Sequence, residues 1–351
     1  MMYKSAIIGY GGMGNWHHAS IKEKIPRMDV KGVWDIRPEV KETATKNGVS
    51  FYSSLDELLN DKELDIVTIA TPNNFHKELS IACMKAGKNV VCEKPVTLNS
   101  GELEEIIKVS EQTGKIFSVH QNRRWDKDFV IVKKILNDNI IGKPYYIESR
   151  VQGSRRSLHG WRGHKVNGGG MVYDWGVHLI DQLLFLIDSP VVSVDASLYN
   201  IFSTEVDDNF KATLKFDNGI NALVEIATNC FINQPRWHVS CNEGTAVVND
   251  WDCSGKIVKL SDNKIMEWAD DIVYTSAGPT RTMAPRPSET VTTLSLPEVE
   301  TDWADYYNNI IDTIENNAEL IVKPSQSLRV MNVIDSIFEA SASGQSVKCR
   351  I

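Results

Sequence analysis

An apolar run over Tyr3–Ile8 stops at Gly9-Tyr10-Gly11-Gly12-Met13-Gly14, and a helical pattern over residues 13–24 starts there. Few folds can use such a junction. A strand turning at once into a helix needs one residue without Cβ at the turn, a second where a ligand nears the backbone, and a third where helix meets strand. The spacing G-x-G-x-x-G through Gly9, Gly11 and Gly14 supplies all three. The free N–H groups opening the helix then form a seat for an anion such as a pyrophosphate. A second apolar run, residues 30–34, ends in Asp35, about 20 residues beyond the last glycine, where a carboxylate accepts the hydroxyls of an adenosine ribose.

Up to residue 122, short β-rich runs alternate with helical patterns. After the first two, the runs are residues 66–70, 89–92 and 116–119; the helical stretches lie near 38–47, 55–60, 74–86 and 100–113. That alternation predicts βαβ units, a Rossmann doubly wound parallel sheet and a dinucleotide-binding domain over 1–122. Ligands of such sheets bind outside the carboxyl ends of the strands, so the polar segments there should converge on one crevice. These are Thr71-Pro72-Asn73 with His76, Glu93-Lys94-Pro95, and His120-Gln121-Asn122. The first serves equally as a helix start; the second sets a charged pair at the mouth of an apolar strand.

From Tyr145 the pattern changes to alternating runs at 145–151, 191–198, 210–216, 220–228, 236–240 and 245–249, which predict a large, open, mainly antiparallel sheet. Residues 123–351 are read as an α+β domain for substrate binding and oligomerisation, and the fold class as α/β. Residues 255–300, with Pro279, Pro285, Pro287 and Pro297, read as a long loop or arm. Helices return over 303–316 and 326–343. After Gly168-Gly169-Gly170 the spacing is helical again, which puts Asp174 and His178 on one face. Two readings fit: a structural contact, or a histidine general base with a carboxylate partner.

The 351 residues carry a formal charge of −8, against a nucleic-acid or anionic-membrane partner. No apolar run reaches the roughly 18 residues of a membrane span. The N-terminus enters the first strand directly, without room for a leader, and a cytoplasmic protein is expected. Six scattered cysteines without a C-x-x-C pair argue for free, mostly buried thiols and against a metal site.

The glycine turn, Thr71-Pro72-Asn73 with His76, Glu93-Lys94-Pro95, Asn122-Arg123-Arg124, Asp174-x-Gly176-x-His178 and the closing Ser341-Ala342-Ser343-Gly344 together resemble the Gfo/Idh/MocA family of nicotinamide-dependent sugar and inositol oxidoreductases. The resemblance covers nearly the whole chain. It implies NAD contacts from Gly9, Gly11, Gly12, Met13, Gly14, Asp35, Arg37, Thr71, Pro72, Asn73, His76, Glu93, Lys94, Trp161 and Arg162, with Asn122, Arg123, Lys94 and His178 toward substrate. Asp35 favours NAD over NADP, although Arg37 partly offsets its repulsion of a 2'-phosphate. The implied catalytic group is Lys94, Asp174 and His178. His178 acts as base, Lys94 relays the proton, and Asp174 orients the imidazole. No metal is needed.

The substrate class is a sugar, glycoside or cyclitol, with Trp16, Trp125, Trp161 and Trp175 available for stacking. The 155–165 loop brings donors in Arg155, Arg156, His159, Arg162, His164 and Lys165. Likeness to glycoside-oxidising members favours a ring hydroxyl, C3 of a glucose-like unit. Two alternatives remain: an NAD-dependent glycosidase acting by oxidation and elimination, or a sugar- or NAD-sensing regulator. A homodimer or homotetramer is expected. The paired His17-His18 has no place in these readings.

Overall fold

The computed structural model describes residues 2–156, 158–262, 267, 272–280 and 286–351. Its first sheet is built from β1 (Tyr3–Ile8), β2 (Met28–Trp34), β3 (Ser50–Phe51), β4 (Ile66–Ile69), β5 (Asn89–Cys92) and β6 (Phe117–Val119). All are parallel, in the order β3-β2-β1-β4-β5-β6. β4 is wholly buried, β1 and β5 nearly so, and their near-continuous apolar runs are what a sheet covered on both faces requires. The covering helices are α1 (Gly12–Lys24), α2 (Val40–Lys46), α3 (Leu55–Asn60), α4 (His76–Lys85) and α5 (Ser100–Thr113). Local chemistry sets their ends. Asn99 caps α5 by accepting from the Glu102 N–H at 3.0 Å, and Gly114 closes it in the left-handed region. The order reverses between β1 and β4, so the crevice for a ligand lies outside that pair.

After α6 (Lys127–Asn137) comes the second sheet. Its strands are β7 (Pro144–Gln152), β8 (Val191–Tyr199), β9 (Asn209–Phe216), β10 (Asn221–Ala227), β11 (Trp237–Cys241), β12 (Gly244–Val248) and β13 (Gly255–Leu260). A separate hairpin pairs β14 (Val273–Thr275) with β15 (Gly278–Thr280), and β16 (Val291–Leu294) and β17 (Val347–Lys348) complete the sheet edges. The nine-stranded order is β16-β13-β12-β11-β7-β10-β9-β8-β17, antiparallel except where β10 runs parallel to β7. α7 (Val177–Leu186) and α9 (Pro324–Ser343) pack on this sheet.

The region expected to be an irregular arm is in part sheet. β13 and β16 pair with each other through Ile257↔Leu294 to Leu260↔Val291, and Pro287 and Pro297 flank the edge strand β16. Residues 263–266, 268–271 and 281–285 of that region lie outside the described residues. Residues Asn122–Trp125 form a 3-10 turn ahead of α6. Of the free cysteines, only Cys83, Cys92 and Cys241 are buried; Cys230, Cys253 and Cys349 are half-buried.

The chain finally returns to the first sheet. From α8 (Ala304–Asn316), Tyr307 reaches the Thr68 hydroxyl at 3.2 Å and Tyr306 donates to Ser118 at 3.2 Å. Elements after residue 123 therefore serve both sheets. Among the described residues no helix is long and apolar enough to cross a membrane.

Candidate active site

The glycines of the first turn divide their work. Gly9 has φ +87°, and a Cβ there would sit 2.6 Å from the Ala70 carbonyl oxygen; one on Gly14 would sit 2.0 Å from the Gly9 oxygen. Those two are demanded by the turn and the helix packing. Gly11 and Gly12 face open space, with only Arg37 within 4 Å of Gly11. Gly11 is the N-cap of α1 and no side chain caps it, so the helix start is available to an anion. At the end of β2, Asp35 accepts from the Tyr10 N–H at 2.8 Å and from the Arg37 guanidinium at 3.0 Å. Burial alone would raise its carboxyl, but Arg37 and these N–H groups hold it below the usual carboxylate range. Arg37 itself remains exposed.

Farther along the crevice, the Asn73 amide donates to the Gly168 carbonyl at 2.9 Å and so ties the end of β4 to the second domain's glycine run. The two ring nitrogens of buried His76 face the carbonyls of Thr71 and Pro95, each at 2.9 Å. Glu93 also turns its carboxylate inward, onto His17 and His120. The side chains of His76 and Glu93 therefore act inside the fold. Thr71 and Pro72 are half-buried at its surface.

Lys94 reaches across to the other domain. Its Nζ donates to the Asp174 carbonyl at 3.1 Å and lies 3.5 Å from Asp174 Oδ1, which Arg162 Nε meets at 3.0 Å. Arg162 in turn stacks on Trp161, 4.6 Å from the ring centre. The expected Asp174–His178 contact is absent. Residues Val172–Gly176 form a π-helix, and the Asp174 carboxylate on it is taken up by Lys94 and Arg162.

His178 opens α7 and is buried, its Nδ1 without a hydrogen-bond partner among the described residues. Burial first, then the charges of Lys94 and Arg123, push the imidazole well below its ordinary pKa, so it is neutral at pH 7. Arg123 is clasped by two indoles, 4.1 Å from the centre of Trp175 and 5.3 Å from that of Trp251, and Trp175 meets His178 edge-on at 5.9 Å. Its neighbour Asn122 is half-buried in the same turn, whereas Arg124 turns into the core to a bidentate pair with Asp181.

A cleft of about 460 Å³ adjoins this group, bounded by Arg155, His159, Arg162, Asp174, Trp175 and Thr228 among others. From the donor-rich loop, Arg156 goes instead to Asn229 and His164 to Glu205. Trp16 and Trp125 also point elsewhere, packing on His120 and Tyr306. Among the described residues ten buried side-chain polar atoms lack a hydrogen-bond partner, and six of them belong to the strand ends and to the turns at the crevice: Thr71 Oγ1, Asn74 Oδ1, His120 Nε2, Gln121 Oε1, Arg123 Nε and His178 Nδ1. Unpaired buried groups are costly, about 1–3 kcal/mol each, so this clustering fits a site that a polar ligand completes. Trp251 and His17 were not among the expected site residues, and His120 was expected only as part of a polar strand end. Trp251 carries no motif, and the histidines meet Glu93 across 76 and 27 residues of chain.

Residues 3–121 match the oxidoreductase family with an NAD-binding Rossmann fold, GFO_IDH_MocA, and residues 129–247 match the GFO/IDH/MocA C-terminal domain. An NAD-binding protein from Listeria innocua has the same fold, with 44% identity, a TM-score of 0.95 and 99% of both chains covered. A scyllo-inositol 2-dehydrogenase (NADP(+)) from Bacillus subtilis is 25% identical over 98% of this chain and 95% of its own. An inositol 2-dehydrogenase from Salmonella typhimurium is 25% identical over 66% of this chain and 68% of its own.

Proposed function

The chain belongs to the Gfo/Idh/MocA family of oxidoreductases, with an NAD-binding Rossmann domain, and from that premise we propose that it is a dehydrogenase for a secondary ring hydroxyl of a sugar, glycoside or cyclitol. Residues 1–122 hold the cofactor and 123–351 the substrate. The observation that carries the reading is a buried, neutral imidazole, His178, under the charges of Lys94 and Arg123 and packed edge-on against Trp175, which lines the cleft. Bound NAD supplies the carbon that accepts hydride. As the substrate carbinol is oxidised its hydroxyl must lose a proton, and His178 takes it. Lys94 donates a hydrogen bond to the same oxygen and steadies the charge developing there. Asp174 sets the Lys94 ammonium, through both its carbonyl and its carboxylate, rather than the imidazole.

The first turn, Asp35, the Thr71–Asn73 segment, Lys94 and the Trp161-Arg162 turn would hold the cofactor. Asp35 favours NAD, since an ionised carboxylate repels a 2'-phosphate; Arg37, ion-paired to it and exposed, weakens the discrimination. Titration should give tighter binding of NAD than NADP, and Asp35→Ser should narrow the gap. Equal affinities in the unaltered protein would refute this assignment.

The test of the activity is a panel of cyclitols, aldoses and glucosides, including glucosides free at C3, followed by absorbance of the reduced nicotinamide. A dehydrogenase releases reduced cofactor in proportion to ketone. Glycoside cleavage without net reduction would favour the oxidation and elimination route instead. Tight NAD binding with no turnover of any member would favour a sensor.

A further inference from the structure

Behind Lys94 lies a group of side chains that the proposed chemistry leaves unused. Glu93 is buried, and a buried carboxylate is tolerated only when its oxygens are paired. Its Oε1 accepts from His17 Nε2 at 2.9 Å and from His120 Nδ1 at 2.8 Å, while Oε2 accepts from the backbone N–H of Lys94 at 3.1 Å. Burial would raise the Glu93 carboxyl, yet the two imidazoles, His120 foremost, hold it well below the usual range. It is therefore ionised, and both rings donate to it.

That fixes the rest of the chain of donors. His17 is neutral, because burial lowers its pKa, so its Nδ1 accepts from the Tyr307 hydroxyl at 2.8 Å, and Tyr307 accepts from Thr68 at 3.2 Å. The two imidazoles pack 4.6 Å apart between Trp16 and the tyrosines of α8. One carboxylate thus gathers His17 from α1 and His120 from just after β6, with Tyr307 of α8 behind His17. The same three side chains resemble a metal triad, with ligand atoms within 4.8 Å of one another. Both rings, however, stand at hydrogen-bond length from one oxygen and need N–H there, where a metal would need lone pairs.

We propose that His17, Glu93 and His120 form a positioning unit for Lys94: the imidazoles hold the Glu93 carboxylate, and the carboxylate holds the main chain from which Lys94 reaches into the cleft. This rests on the reading of Lys94 as a group that touches the reacting oxygen. An error near 1 Å in such a group can lower turnover about 100-fold without changing what binds.

The test uses the full-length protein and two substitutions at one position. An asparagine amide can place a donor near where Nδ1 stands, so His120→Asn keeps the bond and His120→Leu removes it. His120→Leu should lower kcat roughly 10- to 100-fold, with the Kd for NAD, measured by fluorescence titration, within about twofold of the unaltered protein. His120→Asn should recover most of that loss. An unchanged kcat in folded His120→Leu, or His120→Asn no better than leucine, overturns the proposal. So does activity that is lost on chelation and restored by a divalent ion. Should His120→Leu not fold, Glu93→Gln asks the same question, since it keeps the shape and removes the charge that both imidazoles face; unchanged kcat there also overturns it. Lys94→Ala, run alongside, separates the two levels: if it stays active, the reading of Lys94 falls, and if it is inactive while the Glu93 and His120 variants are normal, only the positioning unit falls.

Discussion

His178 is the residue on which the chemical reading turns, because its environment makes opposite demands on a structural and a catalytic histidine. A core imidazole normally satisfies both ring nitrogens, yet here Nδ1 is buried without a partner among the described residues. Its pKa is lowered by burial, then by Lys94 and Arg123, so the basic form persists down to acidic pH. The acid limb of the kcat/KM profile set by this group should therefore lie below the ordinary histidine value near 6.5; a limb above it would assign the base elsewhere. His178→Asn should leave folding and NAD affinity intact and reduce turnover about 100-fold or more. If the folded variant kept full turnover, the histidine would be structural. Lys94 and His178 were legible in the sequence because each sits in a local motif at an element's end. The pairing of Lys94 with Asp174 was not, because it joins residues 80 apart in the chain.

At the level of elements, the π-helix Val172–Gly176 is held by one acid. Gly170 adopts φ +108°, and a Cβ there would lie 2.2 Å from Asp207 Oδ1; Asp207 Oδ2 in turn accepts from the Val172 N–H at 2.8 Å. The glycine run is thus the room that Asp207, just ahead of β9, needs to cap the π-helix carrying Asp174. Burial, first among the causes, raises the Asp207 carboxyl to about 6, against the opposing hydrogen bonds from backbone N–H groups. A raised folded pKa means that the native state favours the protonated acid. Its contribution to stability is full below the unfolded value near 4 and is lost as pH rises through about 6. Asp207→Asn cannot ionise, so relative to the unaltered protein it should gain on the order of 2–3 kcal/mol between pH 4 and pH 7. Urea unfolding of both proteins at the two pH values measures the difference, and parallel behaviour would show that Asp207 does not titrate in this range. The main strands and helices were legible because their periodicities are clean. The edge strands β16 and β17 escaped because an edge strand is short or proline-flanked and need not be apolar on both faces.

For the whole molecule the open question is the second face of the nine-stranded sheet. Alternation along β9 and β10 buries Phe210, Ala212 and Leu214 with Ala222, Val224 and Ile226, leaving Lys211, Leu223 and Glu225 to the other side. There Arg150 pairs with Glu148 at 2.8 Å and with Glu225 at 3.1 Å, and Lys211 joins Glu225 at 3.2 Å. Cross-strand register makes Arg150 and Lys211 direct neighbours of Glu225, which no reading of single strands could foresee. Such a face is neither an apolar core surface nor a freely solvated one, since Arg150 and Glu225 are already buried within the single chain. Large apolar side chains stand exposed on the connection from β10 to β11, with Phe231 at 71% and Ile232 at 86% exposure. An exposed apolar connection at the end of this sheet marks a surface that a second subunit would cover. The protein is therefore expected to assemble as a dimer or tetramer. Light scattering at micromolar concentration should return two or four times the 39.4 kDa chain mass, and replacing Phe231 and Ile232 by serine should shift that mass toward the monomer. A monomer mass for the unaltered protein would leave this face to solvent and end the argument for an interface.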